Sequence, residues 1–274
     1  RRLIKHRRFW YLDGKGWDRL FPHMVEVYKL RNSSKTKITP DIAYCTKYIA
    51  ESILLLPNGD LVSKFWGNNS GSGTTTGDNI LGMSFCLAHV FKKLGLTDDQ
   101  IKNLVFVAIF GDDVVGSDSL PFSDEQLTQA FEFVFRDLYG IVLDPFCICT
   151  SVTDLTFLGF QFTKIDRGYI PRYPLERLAC SMIYNLGDME VEAEFAKMCS
   201  LTLMSAGNGE SVFNFFRDSL IDVVVTHTSD YIKSLREKDF TIIFPEYSSV
   251  IDWYLGFESN TSITYIDNVI QFTI

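Results

Sequence analysis

Leu104-Val-Phe-Val-Ala-Ile-Phe110-Gly111-Asp112-Asp113-Val114-Val115 is the stretch that decides the fold. The apolar run from Leu104 to Phe110 has the length of a strand, breaks at Gly-Asp-Asp, and resumes as Val114-Val115. This pattern predicts a hairpin with an acidic tip between buried strands. Adjacent carboxylates at such a tip repel each other and resist desolvation, and a cation offsets both costs. Hard oxygen donors with no His or Cys beside them favour Mg2+ or Mn2+ over zinc. The plainer alternative is an exposed Gly-Asp-Asp turn; the strongly apolar flanks favour the metal.

Upstream, Arg8-Phe9-Trp10-Tyr11-Leu12 reads as a buried strand that ends at Asp13, followed by Gly-Lys-Gly-Trp-Asp18. The strand end would fix Asp13, and the turn would bring Asp18 back over the same place. Two Asp around a glycine-rich turn are also common in solvated loops. Between these two acidic segments lies Asn68-Asn-Ser70-Gly71-Ser-Gly73-Thr-Thr75-Thr-Gly-Asp-Asn79. Its glycines let backbone approach a ligand, and Ser70, Thr75 and Asn79 offer donors and acceptors suited to ribose hydroxyls. The alternative is a polar linker ending in a Thr helix cap, although a linker seldom runs straight from a hairpin into an amphipathic helix.

The surrounding elements follow from the same signals. Residues 23 to 55 look mixed and mainly helical, with a loop at Arg31 to Thr39. Asn58-Gly59 marks a hairpin turn within Ser52 to Trp66. A helix is expected from Thr76 to Leu94, on the spacing of Ile80, Met83, Ala88, Val90 and Phe91, with Lys92, Lys93 and Gly95 as its stop. Ser123 and Gln126 form a capping box for a helix that buries Leu127, Ala130, Phe131, Val134 and Leu138 and stops at Gly140. Ile141 to Leu143 is a further short strand, and Leu155 to Phe162 with Gly168 to Ile170 a further hairpin. After Pro174 the pattern is helical to about Lys233, followed by a strand at Phe240 to Phe244 and an irregular tail.

Composition sets the limits. The chain has 274 residues, is 46% hydrophobic and carries a net charge of −8, so it can bury a real core. No apolar run reaches the ~18 residues that a membrane span needs. No apolar stretch follows the charged residues Arg1 to Arg8 to make a signal peptide. The chain opens on Arg rather than Met, which points to a piece of a longer polyprotein. Residues 1 to 37 hold eleven Lys or Arg against three acids, and the remainder is strongly acidic. A polyanion could meet that basic segment; a solvated basic face accounts for it equally well. The six cysteines contain no C-x-x-C pair and read as buried free thiols in a reducing compartment.

Taken in order, Asp13-x4-Asp18, Ser70-Gly71-x3-Thr75-x3-Asn79 and Gly111-Asp112-Asp113 resemble motifs A, B and C of the viral RNA-dependent RNA polymerase palm. The intervals, 57 residues from Asp13 to Ser70 and 42 from Ser70 to Asp112, suit that family. Gly67-Asn-Asn-Ser-Gly71 is similar to potyvirus-like enzymes. Phe157-Leu-Gly-Phe160 with Tyr169-Ile-Pro171 looks like the motif E hairpin of astrovirus- and picornavirus-like enzymes. The match covers about residues 9 to 175.

The resemblance implies an α+β fold: a right-hand polymerase palm, its antiparallel sheet flanked by helices, with part of the fingers and a mainly helical thumb. Palm would occupy 1–175 with a fingers insertion at about 23–66, and thumb 176–274. It implies RNA-templated RNA synthesis by a nucleotidyltransferase using two Mg2+ (or Mn2+) ions. Asp13 and Asp112 would be the principal ligands and Asp113 the auxiliary one. Asp18 and Asn79 would read the ribose 2′-hydroxyl, supported by Ser70 and Thr75, with Gly71 as the flexing point. Its partners would be an RNA template and primer, nucleoside triphosphates, and other segments of a viral polyprotein or replication complex in the host cytoplasm.

Two departures stand out. The family usually places a Lys in motif D, whereas Asp144 to Asp154 contains no Lys, Arg or His, and Lys164 belongs to the next hairpin. The basic fingers motif precedes motif A in the family, and Arg1, Arg2, Lys5, Arg7 and Arg8 stand too close to the motif A strand to be that element. The competing readings are a reverse transcriptase, which usually carries an aromatic steric gate where Asp18 stands, and a palm-shaped RNA-binding module that does not catalyse.

Overall fold

A computed structural model describes residues 2–17, 21, 24, 27–29, 40–41, 44, 47–48, 51–65, 67–68, 73–184, 191–226 and 245–257. The fold is mixed α/β and divides into two compact units, Arg1–Leu158 and Gly159–Ile274. The expected strand at 240–244 and the loop at 31–39 lie outside the described residues, whereas residues 24, 27–29, 40–41, 44 and 47–48 are helical, as the reading of 23–55 expected.

The first unit is built on a four-stranded antiparallel sheet of β1 (Arg8–Gly14), β4 (Val105–Phe110), β5 (Asp113–Asp118) and β6 (Leu143–Cys149), in the order β4-β5-β1-β6. Strand β1, which carries Asp13 near its end, is therefore central, between the β4–β5 hairpin and β6. A small separate hairpin, β2 (Ile53–Leu55) and β3 (Leu61–Ser63), turns through Asn58-Gly59 as expected.

Helix α1 (Thr75–Lys93) starts and stops close to the expected positions. Its end is a Schellman motif: Leu96 N–H bonds to Phe91 O at 3.1 Å and Gly95 N–H to Lys92 O at 2.9 Å, with Gly95 at φ +74°. Met83, Val90 and Phe91 are buried, whereas Ala88 is exposed; the inner stripe is completed by Gly82, Cys86 and Leu87. A short helix α2 (Asp98–Leu104), not anticipated above, opens with a capping box between Thr97 and Gln100. Helix α3 (Asp124–Glu132) opens with the expected Ser123–Gln126 box.

From Phe133 to Leu138 this helix widens into a π-helical turn. The extra residue per turn rotates its face, so Phe135 is buried and Leu138 is 50% exposed, contrary to the 3.6-residue pattern that put Leu138 inside. The core lies between these helices and the sheet, where Trp10 and Leu12 of β1 meet Met83, Leu127 and Phe131. Trp10 and Phe131 pack edge to face, with ring centres 5.2 Å apart. The expected strand at 141–143 begins instead at Leu143 and runs through the segment expected to be motif D.

In the second unit the hairpin is β7 (Gln161–Ile165) and β8 (Gly168–Arg172). Its first strand starts later than the sequence pattern suggests, because Leu158 and Gly159 both take positive φ and form a turn. Helices α4 (Leu175–Ile183), α5 (Val191–Ser205) and α6 (Glu210–Thr226) bury Leu178, Phe195 and Leu220 among themselves. Helix α7 (Tyr247–Leu255), placed where an irregular tail was expected, packs Val250 and Ile251 against Ile170 and Phe213. No single helix among the described residues is long and apolar enough to cross a membrane.

Candidate active site

The β1–β5 ladder aligns the acidic residues. Its register pairs Arg8 with Asp118 and Leu12 with Val114, so one further step sets Asp13 opposite Asp113. Residues directly opposite on neighbouring strands share a face. On the far side of β5, Phe110 pairs with Asp113, which leaves Gly111 and Asp112 as the two residues of the hairpin turn. Gly111 has φ +66°, and Asp112 is not in the left-handed region. A two-residue turn with positive φ only at its first position fits glycine there, as in a type II′ hairpin. The glycine of Gly-Asp-Asp is thus a requirement of the turn, and it delivers Asp112 and Asp113 to the end of β1.

The tip is half-buried rather than buried, since Asp13, Asp112 and Asp113 all keep partial solvent contact. Burial and then the charges of Asp112, Asp113 and Asp144 raise the Asp13 carboxyl above its ordinary range, against one backbone hydrogen bond from Gly14. Burial and then Asp112 raise Asp113 likewise. Crowded carboxylates whose proton affinity is raised are the electrostatic setting in which a divalent cation is favourable. Among the described residues no group of three or more His, Cys, Asp or Glu side chains is placed to hold a metal ion by itself. Mg2+ rarely needs one, because it is commonly held by one or two carboxylates together with substrate phosphates.

Asp144 is a component that sequence reasoning missed. The β1–β6 register slips between Leu12 and Gly14, so that Asp144 and Pro145 of β6 together oppose Asp13. This bulge brings a fourth carboxylate to the site. Lys15 Nζ lies 3.3 Å from Asp144 Oδ2 at its exposed edge. The Asp144-Pro145 pair was its sequence signal, since Pro within a strand marks a bulge or an edge.

The opposite end of the ladder holds the register. Asp118 is fully buried and accepts from Arg8 Nη2 at 2.6 Å, Trp10 Nε1 at 3.1 Å and the Leu120 N–H at 3.0 Å. Arg8 also donates to Phe122 O at 2.8 Å and Asp124 Oδ1 at 2.9 Å. Arg8 is therefore engaged in the fold rather than offered to a polyanion. Between the two ends, the Trp10 indole lies over Gly116, where an added Cβ would stand 2.2 Å from the ring.

On the helix side, Asn79 is buried, and its Oδ1 accepts from Asn68 Nδ2 at 2.7 Å. Asn68 Nδ2 also donates to Thr75 O at 3.1 Å, and Tyr28 Oη donates to Asn68 Oδ1 at 2.9 Å. Asn68, quoted in the loop above but given no role there, thus ties the entry of that loop to the first turns of α1. Asp18, Ser70 and Gly71 lie outside the described residues.

The cysteines are less uniform than expected. Among the described residues Cys86 is buried, Cys147, Cys149 and Cys199 are half-buried, and Cys180 is exposed; these five are free thiols, and Cys45 lies outside the described residues. Cys147 lies opposite Tyr11, and its thiol, together with burial, pushes the Tyr11 phenol up to about 12.

With this geometry in view, the comparison with known proteins is direct. The family model for viral RNA-dependent RNA polymerase matches residues 1–224, and the chain belongs to that family. It is 28% identical over 157 residues to the genome polyprotein of Peanut mottle virus (strain M), covering 57% of this chain and 5% of that polyprotein. It is 33% identical over 125 residues to the genome polyprotein of Bean yellow mosaic virus, covering 46% and 4%. Similarity to the non-structural polyprotein 1AB of Turkey astrovirus 1 is 22% over 244 residues, covering 82% and 15%. The chain thus spans a small part of the length of the curated relatives it matches.

Proposed function

We propose that this chain carries the catalytic centre of an RNA-templated RNA polymerase. The register that sets Asp13 opposite Asp113 beside the Gly111-Asp112 turn carries the reading, and family membership supports it. In this reading residues 1–175 form the palm with a fingers insertion at about 23–66, and residues 176–274 form the thumb.

Asp13 and Asp112 would hold two Mg2+ (or Mn2+) ions, with Asp113 as the auxiliary ligand. When bound, such a pair supplies charge neutralisation to both the attacking and the leaving oxygen. The chain's own task is positioning. The pinned β1–β5 ladder presents the carboxylates rigidly, so little reorganisation accompanies nucleotide addition at a primer 3′-hydroxyl. Asn79, held from behind by Asn68, would turn its remaining amide donors toward the ribose 2′-hydroxyl together with Asp18. Ser70 and Thr75 would support that contact, and Gly71 would let the loop flex. RNA template, primer and nucleoside triphosphates are the substrates of this reading. Its setting is a viral replication complex in the host cytoplasm, formed with other polyprotein segments.

The experiment is primer extension by the complete polymerase on poly(A) with oligo(U). We expect UTP incorporation that requires Mg2+ or Mn2+, and dTTP incorporation at least tenfold lower. Template-independent incorporation, or equal use of the two nucleotides, would count against the reading.

A further inference from the structure

Lys15 stands two residues beyond Asp13, in the turn that follows β1. Its backbone is fixed, because Lys15 N–H bonds to Val142 O at 2.9 Å, next to the start of β6. Its side chain extends along the site edge to Asp144, with both groups largely exposed, at 69% and 62%. Asp144 is the residue that the β6 bulge places opposite Asp13. The ammonium is therefore held at the rim of the carboxylate cluster by an anion that solvent screens.

We propose that Lys15 binds the terminal phosphates of the incoming nucleoside triphosphate, exchanging the Asp144 carboxylate for phosphate oxygens; this rests on the polymerase reading above. Three features support the assignment. First, an exposed Lys–Asp pair is weak, so opening it costs little. Second, Lys binds phosphate as a mobile point charge with three donors, and its four-carbon stem can swing while the backbone stays pinned. Third, residues 144 to 154 of the adjoining strand and turn contain no Lys, Arg or His, so no cation from that segment serves this edge. A triphosphate brought beside Asp13, Asp112 and Asp113 meets repulsion from their carboxylates, and a cation on the rim offsets part of it. In the free enzyme Asp144 keeps the ammonium at the rim until phosphate displaces it.

The test is equilibrium binding to the complete polymerase with primer and template bound, in Mg2+. A non-hydrolysable nucleoside triphosphate analogue is compared with the monophosphate. We expect Lys15→Met to weaken the triphosphate about tenfold and leave the monophosphate unchanged, Lys15→Arg to recover most of the loss, and Asp144→Asn to bind triphosphate as tightly as the parent or more so. In turnover the same loss should appear in KM rather than kcat. Unchanged triphosphate binding in Lys15→Met, or equal losses for triphosphate and monophosphate, would overturn the Lys15 assignment alone. An Asp144→Asn variant as weak as Lys15→Met would also overturn it, since the pair would then be structural. No nucleotide binding by the parent enzyme would overturn the polymerase reading and the Lys15 assignment with it.

Discussion

Arg8 and Asp118 face each other across the β1–β5 ladder, and the same register carried to the other end of the strands sets Asp13 opposite Asp113. A buried ion pair at one end of the sheet thus keeps the acidic site in alignment at the other. A slip of one residue would turn Asp13 to the opposite face of the sheet. The pair is saturated with hydrogen bonds, as a buried charge must be to persist.

Removing one partner leaves the other buried and uncompensated. Arg8→Ala is therefore expected to destabilise the chain by about 3–5 kcal/mol, and Asp118→Ala by a similar amount. The double variant should lose far less than the sum of the two. Urea unfolding of the four proteins measures this, and strict additivity would remove the pair from its role.

Gly116 gives a second handle on the same ladder. Its absent side chain makes room for the Trp10 indole, which lies where a Cβ would project. Gly116→Ala should cost roughly 1–3 kcal/mol by overpacking, and more if the sheet cannot shift. Combining it with Trp10→Leu should cost less than the two changes added together. A Gly116→Ala protein with unaltered thermal stability would contradict the packing described.

The acidic cluster makes stability depend on pH and on divalent ions. Asp13 and Asp113 are raised in the folded chain, by burial first and then by neighbouring carboxylates. A raised carboxyl favours the folded state fully below its unfolded pKa of about 3.9, and loses that contribution as pH rises through the folded value. Without divalent ions, the cluster should therefore cost stability from about pH 4 upward. Mg2+ or Mn2+ should restore it at pH 7 and do little at pH 4. Asp13→Asn should raise the ion-free stability at pH 7, by less than about 1 kcal/mol because solvent screens the site. Differential scanning calorimetry with and without excess Mg2+ provides the check; a melting temperature insensitive to the ion at both pH values would contradict it.

Asn68 offers a test of ribose reading that leaves the metal carboxylates untouched. Asn68→Ala removes the donor to Asn79 Oδ1 and to Thr75 O, and should cost about 1–3 kcal/mol through the buried groups left unpaired. With Asn79 no longer oriented, the preference for UTP over dTTP should fall several-fold while primer–template affinity stays the same. Undiminished discrimination would separate Asn68 from that role.

Much of the site was legible because its signals are local. The apolar run and its interruption predicted the β4–β5 hairpin, and Gly111 proved to be the residue that the turn requires. Ser123 with Gln126 and the stop at Gly95 marked helix ends through hydrogen bonds made within a few residues. The misplaced parts depend on tertiary context. Leu138 fits a 3.6-residue stripe and is turned outward by a π-turn that no composition signal announces. Arg8 looked like part of a basic surface, yet its partner lies far along the chain at Asp118. Asp144 entered the site through a register slip between strands paired across the sheet, and such slips are set by packing. Helix α7 is short, and Tyr247 to Leu255 shows no side-chain cap to betray it.

The central claim is that Asp112, delivered by the Gly111 turn to the end of β1, belongs to the catalytic metal site. The most direct measurement is primer extension by the complete polymerase carrying Asp112→Ala, with RNA binding measured on the same preparation. The account predicts loss of nucleotide addition by at least about a thousandfold, the scale on which electrostatic transition-state contacts act, with RNA affinity largely intact. Synthesis near the parent rate by a folded Asp112→Ala enzyme would contradict it.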